Sequence, residues 1–277
     1  MKLSSMSRTL AFAATLLCLA AAPALAKTHP STPAAGAPAA GGASASAAAL
    51  PPTAQERAEA DRMDPLARAA FWARAVDLDP RDAAAGVKLA KALRELSRFD
   101  EAQAAAERVL VVDPANLEAL LEAARDHIAA GQGFFAIEPA QRASAVAPGD
   151  WRPASLLAIA LEQAQRDDEA LAAHQRALAL APSNPAVLSN LAMYYAAHGQ
   201  APQAEALLRR AAAAPGATVQ ERQNLALILG LEGKTAESEA LERQDLPPAE
   251  VANNLAYLRA AQAGGTDHSW SSLQSPR

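Results

Sequence analysis

Apolar positions recur along this chain at helical spacing, and the periodic stretches are interrupted at regular intervals. In "VVDPANLEAL", residues 111–120, Asp113 and Pro114 close one apolar pattern and Asn116 stands just ahead of the next. A proline two residues before a side chain able to cap is a helix stop followed by a helix start. The same punctuation returns at Pro80, Pro148 and Pro182, each 34 residues from its neighbour, and at Pro215, one residue short of that step. Two residues on from the step stand Asp82, Asn116, Asp150, Asn184 and Thr218. Each has an oxygen that can accept from the free N–H groups of a first helical turn, worth about 1 kcal/mol. The pattern predicts pairs of short helices repeating every 34 residues, with no strands.

Interior positions keep the same register. Ala90, Ala124, Ala158, Ala192 and Ala226 form one column, and Ala102, Ala136, Ala170, Ala204 and Ser238 another. With 77 alanines among 277 residues, one alanine column alone proves little; several columns in step do establish a period. Leu89, Ala123, Leu157, Leu191 and Leu225 precede the first column. A small residue lets two helix backbones approach, and the leucine beside it fills the groove between them. Gly131, Gly199 and Gly233 share a column at the end of the first helix, where positive φ closes the turn.

A 34-residue unit with Leu-Ala early, a break near its middle, a second alanine twelve residues after the first and a late proline resembles the tetratricopeptide repeat. The likeness covers residues 83–250 in five units and is clearest at 151–184; the large aromatic that the motif places early in its first helix is absent throughout. "PLARAAFWARAVDLDP", ending at Pro80, resembles the second helix of a sixth, degenerate unit, with Trp72 at its aromatic position. The resemblance implies an all-α solenoid, a right-handed superhelix of antiparallel helix pairs with a concave groove. Pro202 suits the first turn of its helix. Pro139 falls inside an expected second helix, so a late helix start or a kink is expected near it.

The ends differ from this middle. Residues 1–26 combine Lys2 and Arg8, an apolar run and Ala24-Leu25-Ala26, the pattern of a cleaved export signal rather than a membrane span. The only cysteine, Cys18, lies within it; lipidation there is disfavoured, because Thr15-Leu16-Leu17 lacks the small residues such sites carry. The expected location is the periplasm, with outer-membrane association through a partner. Residues 27–52 are almost wholly Ala, Pro, Gly, Ser and Thr, a flexible spacer reaching ~28 Å on average. Residues 53–82 hold the degenerate unit, 83–248 the repeats, 249–262 a closing helix and 263–277 a polar tail. Val251, Leu255 and Leu258 give that helix one apolar face with which to cover the last repeat.

Charge and chemistry narrow the function. The net charge of −5 becomes −7 once Lys2 and Arg8 leave with the signal, which holds no acid. Charge signs are interspersed and no basic stripe appears, which argues against nucleic acid. His29, His127, His174, His198 and His268 form no metal-ligand spacing, and His127 and His174 fall at repeat positions usually packed with aromatics. The acids in "RDDEA", 166–170, open a helix, where its dipole accommodates them. No catalytic, cofactor or metal site is expected. Lys91, Arg94, Arg125, Arg152, Ser189, Asn190 and Asn224 fall at groove-lining repeat positions. Asn190 and Asn224 share a column and could hold a partner's extended backbone, or serve local hydrogen bonding. The arginines and Lys91 predict a basic N-terminal part of the groove, suited to an acidic segment or a chain-end carboxylate.

Residues 221–260 carry a narrower likeness. A repeat, then Leu246-Pro247-Pro248, then a closing helix with Asn254-Leu255-Ala256-Tyr257-Leu258, is similar to the C-terminal part of the TadD-like proteins of tight-adherence (Tad, or Flp) pilus assembly. That resemblance implies a non-enzymatic accessory protein whose partners are the outer-membrane secretin or other pilus components. The alternative is a general periplasmic adaptor for another envelope machine, such as polysaccharide export or respiratory-protein maturation.

Overall fold

The computed structural model describes residues 50–263, with side chains to residue 260. The signal, most of the spacer, the tail with Trp270, and His29 and His268 lie outside the described residues. Among those described, the chain is helical throughout and contains no strand. A short helix α1 (Ala54–Ala60) precedes α2 (Pro65–Leu78), and five helix pairs follow. They are α3 (Ala83–Glu95) with α4 (Phe99–Val112), α5 (Leu117–Ala129) with α6 (Gly133–Val146), and α7 (Trp151–Gln163) with α8 (Asp167–Leu180). Then come α9 (Pro185–Ala197) with α10 (Ala201–Ala213), α11 (Val219–Leu231) with α12 (Thr235–Asp245), and α13 (Pro248–Ala263).

Both helices of a pair start and stop by repeating means. Each first helix is capped by the side chain that the period picks out: Asp82, Asn116, Asp150, Asn184 and Thr218 each accept from a backbone N–H of the first turn. Thr218 forms a full capping box with Glu221. The second helices have no side-chain cap. They follow a tight reversal in which one residue takes positive φ and the next donates its N–H back into the first helix, as Gln132 does to the His127 carbonyl at 2.8 Å. Gly131, Gly199 and Gly233 serve this turn, and Ser97 and Gln165, at φ 58° and 59°, adopt the same conformation without being glycine.

The alanine columns are the places of closest packing. Ala90, Ala124, Ala158, Ala192 and Ala226 are all 0 % exposed, as are Ala102, Ala136, Ala170, Ala204 and Ser238. Gly133 and Gly230 carry the same logic further. A Cβ on Gly133 would lie 2.7 Å from the Ala160 carbonyl oxygen in α7, and one on Gly230 would lie 2.3 Å from Leu258 in α13. Trp72 is buried in α2 and meets Phe71 edge to face at 4.9 Å. Val251, Leu255 and Leu258 are buried against Leu227, Leu231 and Leu246, so α13 closes the stack through its expected face.

Of the two expectations at Pro139, the late helix start is the one the structure contradicts. The helix does not start late: α6 begins at Gly133 and runs through Pro139, whose ring is buried. The proline forfeits one backbone donor, and burial of its ring compensates in place of a delayed start.

First helices touch successive first helices, α3 with α5, α5 with α7, α7 with α9 and α9 with α11, whereas the backbones of second helices stay apart. First helices therefore form the inner layer of the stack and second helices the outer one.

Candidate protein-binding face

The inner layer changes chemistry along its length. In α3 and α5 it is ionic. Arg94 donates from Nη2 to Glu122 Oε2 at 2.8 Å, and its Nε lies 3.0 Å from Asp126 Oδ1. Arg125 donates to the other oxygen of Glu122 at 2.5 Å. Both acids are buried, Asp126 completely. The angle between Arg94 Nε and Asp126 is poor, and neither Asp126 oxygen has a well-formed hydrogen bond. Loss of solvent, opposed by the Arg94 charge and reinforced by Glu122, pushes the Asp126 carboxyl up to about 7. One unit further on, Arg152 donates to Glu118 at 2.9 Å and pairs with Asp150 at 2.6 Å. Hydrogen bonding to Arg152 holds the Asp150 carboxyl below the usual range.

This geometry corrects the basic lining expected from sequence. Arg94, Arg125 and Arg152 do face the inner layer, but each is spent on acids of its own or an adjacent unit. Lys91 differs: it is exposed and makes no ion pair or hydrogen bond among the described residues.

From α7 onward the face carries amides and hydroxyls instead. Asn190 Nδ2 donates to Ser155 Oγ at 3.0 Å, and Asn224 Nδ2 donates to Ser189 Oγ at 2.9 Å. Each bond joins neighbouring first helices at a step of 35 residues, so the two form successive rungs. Ser155 and Ser189 are buried, while both asparagines remain partly accessible. The Asn224 carbonyl oxygen also accepts from Gln220 at 2.8 Å. Asn190 retains its second N–H and its carbonyl oxygen. Local bonding and an available amide edge thus coexist in one residue.

The sequence singled out Ser189, Asn190 and Asn224 but missed Ser155, Glu122 and Asp126. Ser155 and Ser189 stand one 34-residue step apart, and each precedes an asparagine column by one position; that offset was the signal available for the rungs. Nothing in the spacing marks Asp126 as buried.

His127 and His174 behave as packed side chains, whereas His198 is exposed. His174, in α8, is 1 % exposed; its Nε2 lies 2.5 Å from Glu162 Oε1 and its ring is 5.4 Å from Tyr194. His127 Nδ1 lies 3.0 Å from the Gln132 amide oxygen, and His198 stacks on Tyr194 at 4.1 Å. Among the described residues no three His, Cys, Asp or Glu side chains gather as metal ligands, and no helix is long and apolar enough to cross a membrane.

Solved structures share this architecture. The chain is similar to TTC0263, a thermophilic TPR protein of Thermus thermophilus, with 23 % identity and a TM-score of 0.57 over 64 % of this chain and 99 % of that one. It is also similar to a tetratricopeptide repeat protein from Parabacteroides merdae, with 14 % identity and a TM-score of 0.60 over 74 % and 80 % of the two chains. No family model matches the chain, and no curated protein matches it. The repeat columns, the helix pairs and these likenesses agree on an all-α tetratricopeptide solenoid.

Proposed function

We propose that this chain is a non-enzymatic scaffold that holds an extended segment of a partner protein along its inner helices. The observation that carries this reading is the pair of rungs, Asn190 to Ser155 and Asn224 to Ser189. Each asparagine is held by a buried hydroxyl of the preceding unit, and the partly accessible amide edge of Asn190 keeps a donor and an acceptor. Such an edge can take the N–H and C=O of a backbone in extended form, with little rotamer entropy left to lose on binding.

The biological setting of this proposal is assembly of the Tad pilus machine in the periplasm, with the secretin or another pilus component as partner. What supports it is the likeness of residues 221–260 to TadD-like proteins together with the export-signal pattern of residues 1–26. The docked α13, packed by Val251, Leu255 and Leu258, is consistent with that closing helix.

Cross-linking of the tagged chain in intact cells, with mass spectrometry of what it captures, tests both levels. Capture of the secretin, lost when Asn190 and Asn224 are both changed to alanine, is the expected result. Reproducible capture of a different envelope complex would remove the pilus assignment and leave the scaffold. Capture that the double variant leaves unaltered would remove the rungs as the binding face.

A further inference from the structure

The closing helix carries the signature of a first helix. Asn254-Leu255-Ala256 in α13 restates Asn190-Leu191-Ala192 in α9 and Asn224-Leu225-Ala226 in α11. The three leucines are buried alike, but the alanines differ. Ala192 and Ala226, each in a first helix packed on its own second helix, are 0 % exposed. Ala256 is exposed, and so is Ala252 one turn before it. A small residue in this column admits a second helix at close range, and among the described residues none follows α13.

The neighbouring second helix is open in the same place. In α10, Glu205 accepts from Lys234 at 2.6 Å and Arg209 donates to Glu237 at 2.7 Å, so both side chains meet the second helix that comes next. Glu239 and Arg243 stand one 34-residue step on, in α12, and pair with each other at 2.5 Å. A groove of about 240 Å³ separates this ion pair from Ala252, Leu255 and Arg259 of α13.

The residues that continue from α13 carry matching marks. α5, α9 and α11 end two residues before the turn glycines Gly131, Gly199 and Gly233, and α6, α10 and α12 begin two residues after them. α13 ends at Ala263, two residues before Gly265. Two residues past Gly265 stands Asp267, an acid in the place where Asp167 opens α8. Counted from the same glycine, Trp270 and Leu273 hold the places of Ala204 and Leu207, both buried in α10. An indole in place of an alanine suits an end where the facing helix offers only methyl groups at Ala252 and Ala256.

We infer that residues 266–275 dock on the bare face of α13 as a last second helix, with Trp270 and Leu273 over Ala252 and Ala256 and Asp267 directed toward Arg243. Three observations favour this segment over a separate molecule. It is joined directly to α13, which gives it a high effective concentration at the groove. Its glycine stands at the distance the other turns use. Its acid complements Arg243 as Glu237 complements Arg209. The inference concerns the outer end of the stack and does not depend on the scaffold's partner.

Hydrogen exchange by mass spectrometry, comparing the intact chain with one ending at Ala263, tests it. The deletion should speed exchange in α13 about fivefold and lower the melting temperature by about 2–4 °C. Trp270→Ser combined with Leu273→Ser in the intact chain should do the same. Ala256→Glu should reproduce the change in the intact chain and add nothing in the shortened one, where any direct effect on α13 would still appear. Unchanged exchange and melting after the deletion, a double variant that behaves as the native chain, or an equal effect of Ala256→Glu in both chains would overturn the proposal. So would protection of α13 that fades on dilution, because the occupant would then be a second copy rather than the chain's own continuation.

Discussion

The inner layer of α3 and α5 and that of α9 and α11 occupy equivalent places in the same solenoid, yet they join their units by opposite means. Between α3 and α5, Arg94 spans two buried acids, and Arg125 completes the satisfaction of one of them. Between α9 and α11 a single neutral hydrogen bond crosses from Asn224 to Ser189. A buried ion cluster is costly to assemble and more costly to break, because removing one partner leaves the other charged in a place without water. A neutral rung costs little to lose. The N-terminal joint should therefore be rigid and pH-sensitive, and the C-terminal joint tolerant and insensitive to pH.

The largest effect is expected from Arg94→Met, which leaves Asp126 without its cation and Glu122 with Arg125 alone; about 3–5 kcal/mol should be lost in urea unfolding of the full chain. A loss no greater than that of Asn224→Ala would end the contrast between the two joints. Gly230→Ala tests the far end on steric grounds, since the new methyl would meet Leu258. A cost of about 1–3 kcal/mol is expected, together with faster hydrogen exchange in α13. Asn190→Ala and Asn224→Ala should each cost about 1 kcal/mol, while the two together abolish partner capture, so that binding and stability separate at the rungs.

The pH test sharpens the comparison further. The folded chain holds a proton on Asp126 up to about 7, whereas the unfolded chain releases it near the usual 3.8. Between those values the folded state binds more protons, so the contribution of this group to stability falls as pH rises through the window and is level above it. Melting temperatures between about pH 5 and pH 8 should decline in the native chain and decline less in Asp126→Asn. Equal slopes would show that Asp126 does not govern the N-terminal joint. The smallest effects belong to the reversals: Ser97→Gly and Gln165→Gly each relieve a positive φ and should stabilise by roughly 0.5–1 kcal/mol, visible as small rises in melting temperature.

The fold was legible because it is periodic. Caps at Asp82, Asn116, Asp150, Asn184 and Thr218, the fully buried alanine columns and the glycine turns are local devices written once per unit. The candidate binding face was legible only in outline. Register placed Arg94, Arg125 and Arg152 on it, but whether a cation is free depends on which acids the neighbouring helix presents, and a column cannot show that. Charge reversal at Arg125 and Arg152 is consequently expected to lower the melting temperature as well as binding. Lys91 was read as one of several basic positions; its lack of a partner among the described residues appears only in three dimensions. The late start expected at Pro139 failed for a related reason, because the cost of a missing donor is visible in sequence and the burial of the ring is not.

The 35-residue step of the rungs bears on how such a face changes in length. Each rung takes its serine from one unit and its asparagine from the next, so the donor and acceptor are never encoded within a single repeat. An unequal recombination that duplicated residues 185–218 would place a new Ser189 and Asn190 in register with both neighbours, turning two rungs into three with no new point substitution. The length of segment such a surface can read would thus grow in whole units, a gene-level increment set by the geometry of one side-chain pair.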